Sequence, residues 1–366
     1  MTGKADKANL DNLEWLAERD PSGMLSLVEG LPAQCREAER IARSHPLPDW
    51  PRPEHVVVLG MGGSAIGGDL IRALAESEAG VPVLVNRDYS LPRFVGPGSL
   101  VIASSYSGNT EETLSAYRQA RERGAKIVAI CTGGELARLA AADGFPMIRI
   151  PGGLMPRAAI GYSFVPLLVL FERLGFLPGQ REALAEMYQV LEEQAGQFGR
   201  SSPVSANPVS ANPVKELAWK LVGCIPLVIG SQGWKGTVAY RWKCQINENA
   251  KAPAFWNVFP EMNHNETVGF EAPEELVRRI HVILLRDEED PPQIARRVDV
   301  TKELLSGRVA GITEFYTRGK SAVAKLFSLV YPGDFTSVYL ACLHGVDPTP
   351  IKAIDRLKAE LSKVKG

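Results

Sequence analysis

The stretch LVIASSYSGNTEETLSAY, residues 100–117, decides how the chain is read. Val101, Ile102 and Ala103 form an apolar, β-branched run of the kind that makes a buried strand, and from Glu111 onward the spacing is that of a helix. Between them stand Ser104, Ser105, Ser107, Gly108, Asn109 and Thr110, with no basic residue. One hydroxyl would suffice to cap the helix. A whole cluster of small hydroxyl residues at a strand-to-helix corner exceeds that need. The free N–H groups of a helix start are a ready anion site, so the corner is read as a phosphate cradle built from neutral donors.

Outward from this corner the same alternation recurs. HVVVLGMGGSAIGGDLIRALAE is strand, glycine turn and helix; VPVLVN, AKIVAICT and PMIRIPG read as strands; ELARLAAADG reads as a helix, and AIGYSFVPLLVLFERLGF as a buried helix. A second cycle begins near Val214 with the helix PVKELAWKLVG. The strand IPLVIGS, the helix TVAYRWKCQINENAKA, the strand RRIHVILLRD, the helix PQIARRVDVTKELLS, the strand VAGITEFYT and a long helix from Ser321 complete it. Strands alternating with helices call for parallel sheets covered on both faces. The predicted class is therefore α/β, with two doubly wound parallel-sheet subdomains. Residues 1–50 form an N-terminal helical segment of two helices, 51–200 the first α/β domain, 201–213 a linker, and 214–366 the second domain with C-terminal helices. The linker carries a perfect duplication, Pro203–Asn207 and Pro208–Asn212, whose composition suits an exposed connector.

The totals narrow the function. The 366 residues carry 41 Lys and Arg against 42 Asp and Glu, a net charge of −1, with no basic block of the sort a nucleic-acid binder needs. No uninterrupted run approaches ~18 apolar residues, so no membrane span is expected. MTGKADKANLDNLEW lacks the apolar stretch of a secretory leader, and the five cysteines (Cys35, Cys131, Cys224, Cys244, Cys342) are odd in number and far apart. Both point to reduced thiols in a cytoplasmic protein. Neither cysteines nor histidines cluster, so no metal is expected.

The first glycine turn, GMGGSAIGG (60–68), partly fits a dinucleotide fingerprint, with Ala65 in the third position. The acidic residue expected at the end of the next strand is replaced by Asn86 and Arg87, and no Gly-Lys-Ser/Thr follows to make a P-loop. What remains is a glycine turn with Ser64 at a helix start. Joined to Ser105, Ser107 and Thr110, it could surround one phosphate monoester at the carboxyl edge of the sheet.

GMGGSAIGGDL followed by SSYSGNTEET resembles the sugar isomerase (SIS) domain. With INENAKAP, PEMNHNETVGFE and GVDPTPIKAIDRLK added, the chain is similar to the bifunctional phosphoglucose/phosphomannose isomerases, a branch of the phosphoglucose isomerase superfamily. The likeness runs from DPSGML to the C-terminal helix, and the duplicated linker is its one noticed departure. It implies two SIS-type, flavodoxin-like subdomains and a cofactor-free aldose–ketose isomerase acting on glucose 6-phosphate, mannose 6-phosphate and fructose 6-phosphate.

That chemistry requires ring opening and then a proton shuttle through a cis-enediolate, for which a carboxylate is suited. The resemblance puts Glu248 in that place. It makes His264 the ring-opening imidazole, contributed by the partner subunit of a homodimer, and Arg157 the fixed charge that stabilises the enediolate oxygens. Lys358, preferred to Lys352, would assist ring opening, and Thr349 would leave room for both C2 epimers. Ser64, Ser105, Ser107 and Thr110 would hold the phosphate, with Gly62 and Gly63 letting the backbone approach. Two other readings stand beside this one. A sugar-phosphate-binding SIS regulator would keep the hydroxyls without the Glu–His–Lys set, and no DNA-binding motif accompanies them here; an NAD-dependent enzyme lacks its acidic partner.

Overall fold

The computed structural model describes residues 6–204, 211–361 and 363. Most of the duplicated linker, residues 205–210, lies outside the described residues.

Five parallel strands make the first sheet: β1 (His55–Leu59), β2 (Val83–Asn86), β3 (Ser99–Ser104), β4 (Lys126–Cys131) and β5 (Met147–Arg149). Their order is β2-β1-β3-β4-β5. Four parallel strands make the second: β6 (Ile225–Ser231), β7 (Phe255–Phe259), β8 (Ile280–Arg286) and β9 (Gly311–Tyr316), ordered β7-β6-β8-β9. β3 is buried at all six positions, as a strand covered on both faces must be. In each sheet the strand order reverses beside the first strand, between β1 and β3 and between β6 and β8. In doubly wound sheets the ligand crevice opens at the carboxyl ends of those strands.

The helices are α1 (Leu13–Arg19), α2 (Met24–Glu29), α3 (Leu31–Ser44), α4 (Gly62–Ala75), α5 (Glu111–Glu122), α6 (Gly134–Asp143), α7 (Ile160–Arg173), α8 (Arg181–Phe198), α9 (Pro213–Lys220), α10 (Trp234–Asn249), α11 (Glu274–Val277), α12 (Pro292–Leu305), α13 (Ala322–His344) and α14 (Lys352–Leu361). One apolar core runs through both halves, joining Ile66 and Leu70 of α4, Val165 and Leu168 of α7, Val238 and Trp242 of α10, and Phe327 and Tyr331 of α13. Smaller cores lie under the outer face of each sheet. The N-terminal helices belong to the shared core: α3 packs on α7 and α8, and α2 on α13. Gln34 of α3 also caps α7, donating to the Ala158 carbonyl (2.9 Å) and accepting from the Gly161 amide (2.6 Å).

The structure departs from the sequence expectations at several points. Among the described residues three α-helices, not two, precede residue 50. α8 and β7 fall in segments to which the pattern assigned nothing; β7 is a five-residue edge strand beginning just after Pro253, with Phe255 and Trp256 exposed, so it lacks the buried apolar run that marks the others. Finally, α13 is long and apolar enough to cross a membrane by length and composition, although Pro332, Gly333 and Asp334 interrupt it in sequence; its apolar stretch is wholly buried in the protein. The interruptions have partners. Pro332 removes the donor that the Ser328 carbonyl would have used, and Gln194 Nε2 supplies one instead (2.8 Å). A Cβ on Gly333 would stand 2.5 Å from the Trp242 indole, whose Nε1 donates to the Leu329 carbonyl (2.7 Å).

Candidate active site

At the β1–α4 turn the amides of Ser64 and Ala65 both return to the Met61 carbonyl (3.1 and 3.3 Å). No side chain caps α4, so the amides of Gly62 and Gly63 are the orphan donors of the helix start. The Ser64 hydroxyl accepts from the Tyr106 amide (3.1 Å), which ties this turn to the β3–α5 corner. There Ser105 Oγ pairs with Thr110 Oγ1 (2.9 Å) and accepts from the Gly108 amide (3.1 Å), while Ser107 Oγ accepts from the Asn109 amide (3.2 Å). Ser64 and Ser105 are buried; Ser107 is exposed. A hydroxyl that accepts from an amide keeps its own proton to donate, so the corner holds its shape and still offers donors to an anion. Thr110 is the N-cap of α5, yet its side chain makes no capping bond. Gly108 has no alternative: φ is +73° and a Cβ would lie 1.8 Å from the Gly133 carbonyl oxygen.

The glycines of the first turn divide their work. Gly62, with φ +50°, faces open space. Gly63 lies against the next part of the site, for a Cβ there would stand 2.6 Å from the Pro156 carbonyl oxygen. That contact sets the start of α4 beside the short turn Pro156–Ala158, which carries Arg157.

Arg157 is 3% exposed and spans the joint between the halves. Its Nε donates to Asn249 Oδ1 (2.6 Å), its Nη2 to the carbonyls of Pro348 and Thr349 (2.7 Å each), and its Nη1 lies 3.6 Å from Glu248 Oε2. Nη1 and Thr349 Oγ1 are buried without a hydrogen-bond partner, so two polar atoms at this point await one. Burial pushes the Arg157 guanidinium below its ordinary range, and the Glu248, Asp347 and Asp355 carboxylates oppose that shift. Glu248 is the penultimate residue of α10 and keeps 30% of its side chain exposed. The arrangement can remove a proton from a bound carbon acid and hold negative charge on the adjacent oxygens.

Behind the pair stands a buried network that sequence reasoning missed. Arg241 Nη2 donates to the Arg157 carbonyl (3.1 Å) and to both Asp334 carboxylate oxygens (2.9 and 2.7 Å); Gln245 also donates to Asp334 (2.8 Å). Asn249 Nδ2 donates to Ser337 Oγ (2.9 Å). The signal was present: a carboxylate inside a long apolar helix needs a buried partner.

Of the other candidates, His264 is exposed at the end of the turn Glu261–His264, and Lys352 and Lys358 are exposed on α14, a helix with no buried residue. Among the described residues no hydrogen bond or ion pair joins these three to Arg157 or Glu248. The equivalent crevice of the second sheet, at the ends of β6 and β8, is filled by the protein's own ions: Lys235 pairs with Asp290 (2.8 Å), and Lys325 with Asp287 (3.2 Å) and Glu289 (2.7 Å). The open hydroxyl corner is therefore a feature of the first half. All five cysteines are free, and among the described residues no three His, Cys, Asp or Glu side chains gather as a metal site would require.

Residues 52–144 match the SIS domain family, and residues 210–361 match the bacterial phospho-glucose isomerase C-terminal SIS domain. Fold and site thus define a double-SIS protein of the phosphoglucose isomerase type. A bifunctional phosphoglucose/phosphomannose isomerase of Caldicellulosiruptor bescii is 46% identical over 343 residues, covering 93% of this chain and all of the relative. Another, of Aquifex aeolicus, is 36% identical over 84% of this chain and 90% of its own. The crystal structure of a hypothetical protein from Thermus thermophilus superposes with a TM-score of 0.74 at 18% identity, covering 96% of this chain and 93% of that one. The chain belongs to the bifunctional phosphoglucose/phosphomannose isomerase family.

Proposed function

We propose that the chain interconverts fructose 6-phosphate with glucose 6-phosphate and with mannose 6-phosphate, using Glu248 as the base. The observation that carries this assignment is the Arg157–Glu248 pair, 3.6 Å apart and linked through Gly63 and Pro156 to the hydroxyl-lined start of α4. The phosphate sits at the α4 and α5 starts, on the Gly62 and Gly63 amides and the hydroxyls of Ser64, Ser105, Ser107 and Thr110. Glu248 then takes the proton from C2 of the aldose, or C1 of the ketose, and returns it to the neighbouring carbon. The cis-enediolate formed between these steps carries charge on two oxygens, and the unpartnered Nη1 of Arg157 is the donor offered to them. Thr349, with a buried and unpartnered hydroxyl, lines the sugar end of the pocket.

Ring opening is assigned to His264 of the partner subunit in a homodimer, with Lys358, in preference to Lys352, assisting from α14. Two features support a pairing face at His264. It is exposed, and the segment around it displays Phe255, Trp256, Val268 and Leu276, between 41% and 71% exposed. The free cysteines fit a reducing, cytoplasmic setting.

The deciding experiment is a coupled assay with fructose 6-phosphate that scores glucose 6-phosphate and mannose 6-phosphate separately, with Glu248→Gln run beside the wild type. Both products, lost in the variant, support the assignment. Glucose 6-phosphate alone removes the dual specificity, and sugar-phosphate binding without turnover leaves a non-catalytic sensor.

A further inference from the structure

α10 ends at Asn249, and two residues later the backbone of Lys251 takes φ +54°. Among the described residues this is the one non-glycine in the left-handed region, where a Cβ crowds the carbonyl and glycine is the ordinary occupant. Gly108, Gly233 and Gly345 show the solution used elsewhere in the chain. A side chain retained where its absence would relax the backbone calls for an explanation in the side chain itself.

The ammonium supplies one. Although Lys251 lies at the surface, its Nζ turns back to donate to the Glu248 carbonyl (2.6 Å) and the Pro348 carbonyl (2.8 Å). The Glu248 carbonyl is among the last of α10 and has no intrahelical donor, and a cation suits that end of the helix. The Pro348 carbonyl is the one that Arg157 Nη2 also reaches, at 2.7 Å. Two cations from distant parts of the chain thus meet on one oxygen. Arg157 repels the Lys251 ammonium, and Asp347 and Glu248 attract it.

We propose that Lys251 is a positioning residue of the isomerase site: by holding the Glu248 and Pro348 carbonyls on one ammonium, it fixes the base-bearing end of α10 against the Asp347–Thr349 turn. Lys251 touches no reacting atom. The proposal rests on the isomerase reading of this same site.

Three variants test it: Lys251→Met removes the donor, Lys251→Gly removes the donor and also relaxes the backbone, and Lys251→Arg keeps a cation. Fructose 6-phosphate kinetics are measured together with amide hydrogen exchange over residues 246–252 and 345–351. The expected result is kcat lowered about tenfold or more in Met and Gly with KM within about twofold, partial recovery in Arg, and faster exchange at 345–351 in Met and Gly. A Gly variant as active as the wild type, or unchanged exchange in both, would overturn the proposal. If the wild type itself turns over no sugar phosphate, the isomerase reading falls. The exchange measurement then decides the tie by itself: protection lost at 345–351 in Met and Gly upholds it, and protection kept overturns it.

Discussion

The guanidinium of Arg157 lies 3.6 Å from the carboxylate of Glu248, and the two reach that distance from opposite halves of the chain. Arg157 follows the first sheet on a short turn, whereas Glu248 closes the first long helix of the second half. The candidate site is therefore assembled across a joint, and on the proposed reading its residues fall into those that bind, those that react and those that hold the joint.

Glu248→Gln keeps the shape and removes the proposed base. It should lower kcat by about 10²–10⁴-fold, the usual contribution of a positioned general base, with little change in the KM for fructose 6-phosphate. Steady-state kinetics beside an unchanged melting temperature check this.

Arg157→Lys should be far from conservative. A single ammonium cannot reproduce the fork that serves Asn249, Pro348 and Thr349, and each buried acceptor left without a donor costs about 1–3 kcal/mol. Both the thermal midpoint and kcat should fall, measured by calorimetry and by the coupled assay.

Gly63→Ala places a methyl group 2.6 Å from the Pro156 carbonyl oxygen, so the Arg157 turn must shift. Phosphate binding and turnover should both suffer, with KM and kcat altered together. Gly62→Ala meets no protein atom, so its cost to the fold comes only from its positive φ, at roughly 1 kcal/mol of stability.

If His264 acts across a dimer, mixing two inactive chains should restore activity. A hybrid of Glu248→Gln with His264→Asn has one site that pairs an intact Glu248 with an intact His264. Co-refolded at equal amounts, the mixture should recover about a quarter of wild-type turnover. No recovery above either parent would place His264 in its own chain's site or outside catalysis.

His281, buried on β8, accepts or donates one bond with Thr313 Oγ1 (2.9 Å) and is held neutral by burial, its pKa pushed down to about 4. The unfolded chain binds that proton between pH 4 and about 6.5 and the folded chain does not, so folding stability must fall as pH drops through this window. The slope from this group alone is a little over 1 kcal/mol per pH unit. Melting curves from pH 7 to 4.5, with His281→Gln as the reference, should show the steeper loss in the wild type.

Legibility in the sequence followed burial. β1, β3, β4, β6 and β8 are covered on both faces and read as apolar runs, and the hydroxyl corner after β3 stood out because several polar residues interrupted such a run. β7 did not, since its first two residues are exposed and nothing in five residues separates it from a loop. The site residues divide likewise. Ser64 and Ser105 sit at turns whose chemistry is local, so their neighbourhood could be inferred. Arg157, Glu248 and Thr349 are joined only by tertiary packing, and nothing local brings them together; the resemblance named them. Lys251 stood three residues from Glu248 in INENAKAP, but its meaning depends on a positive φ and on a carbonyl nearly a hundred residues away.

The core common to α4, α7, α10 and α13 has a mechanical consequence. On the proposed reading the phosphate group lies on one half and the reacting carbons lie near a carboxylate on the other, so affinity for a remote, unreactive group can lower the barrier only if the joint does not yield. A soft joint would let the sugar phosphate bind with full strength while its carbon drifted out of line. In this molecule rigidity between the halves is thus a kinetic quantity: cavities cut into that seam, well away from any substrate atom, would show up in turnover before they showed up in binding.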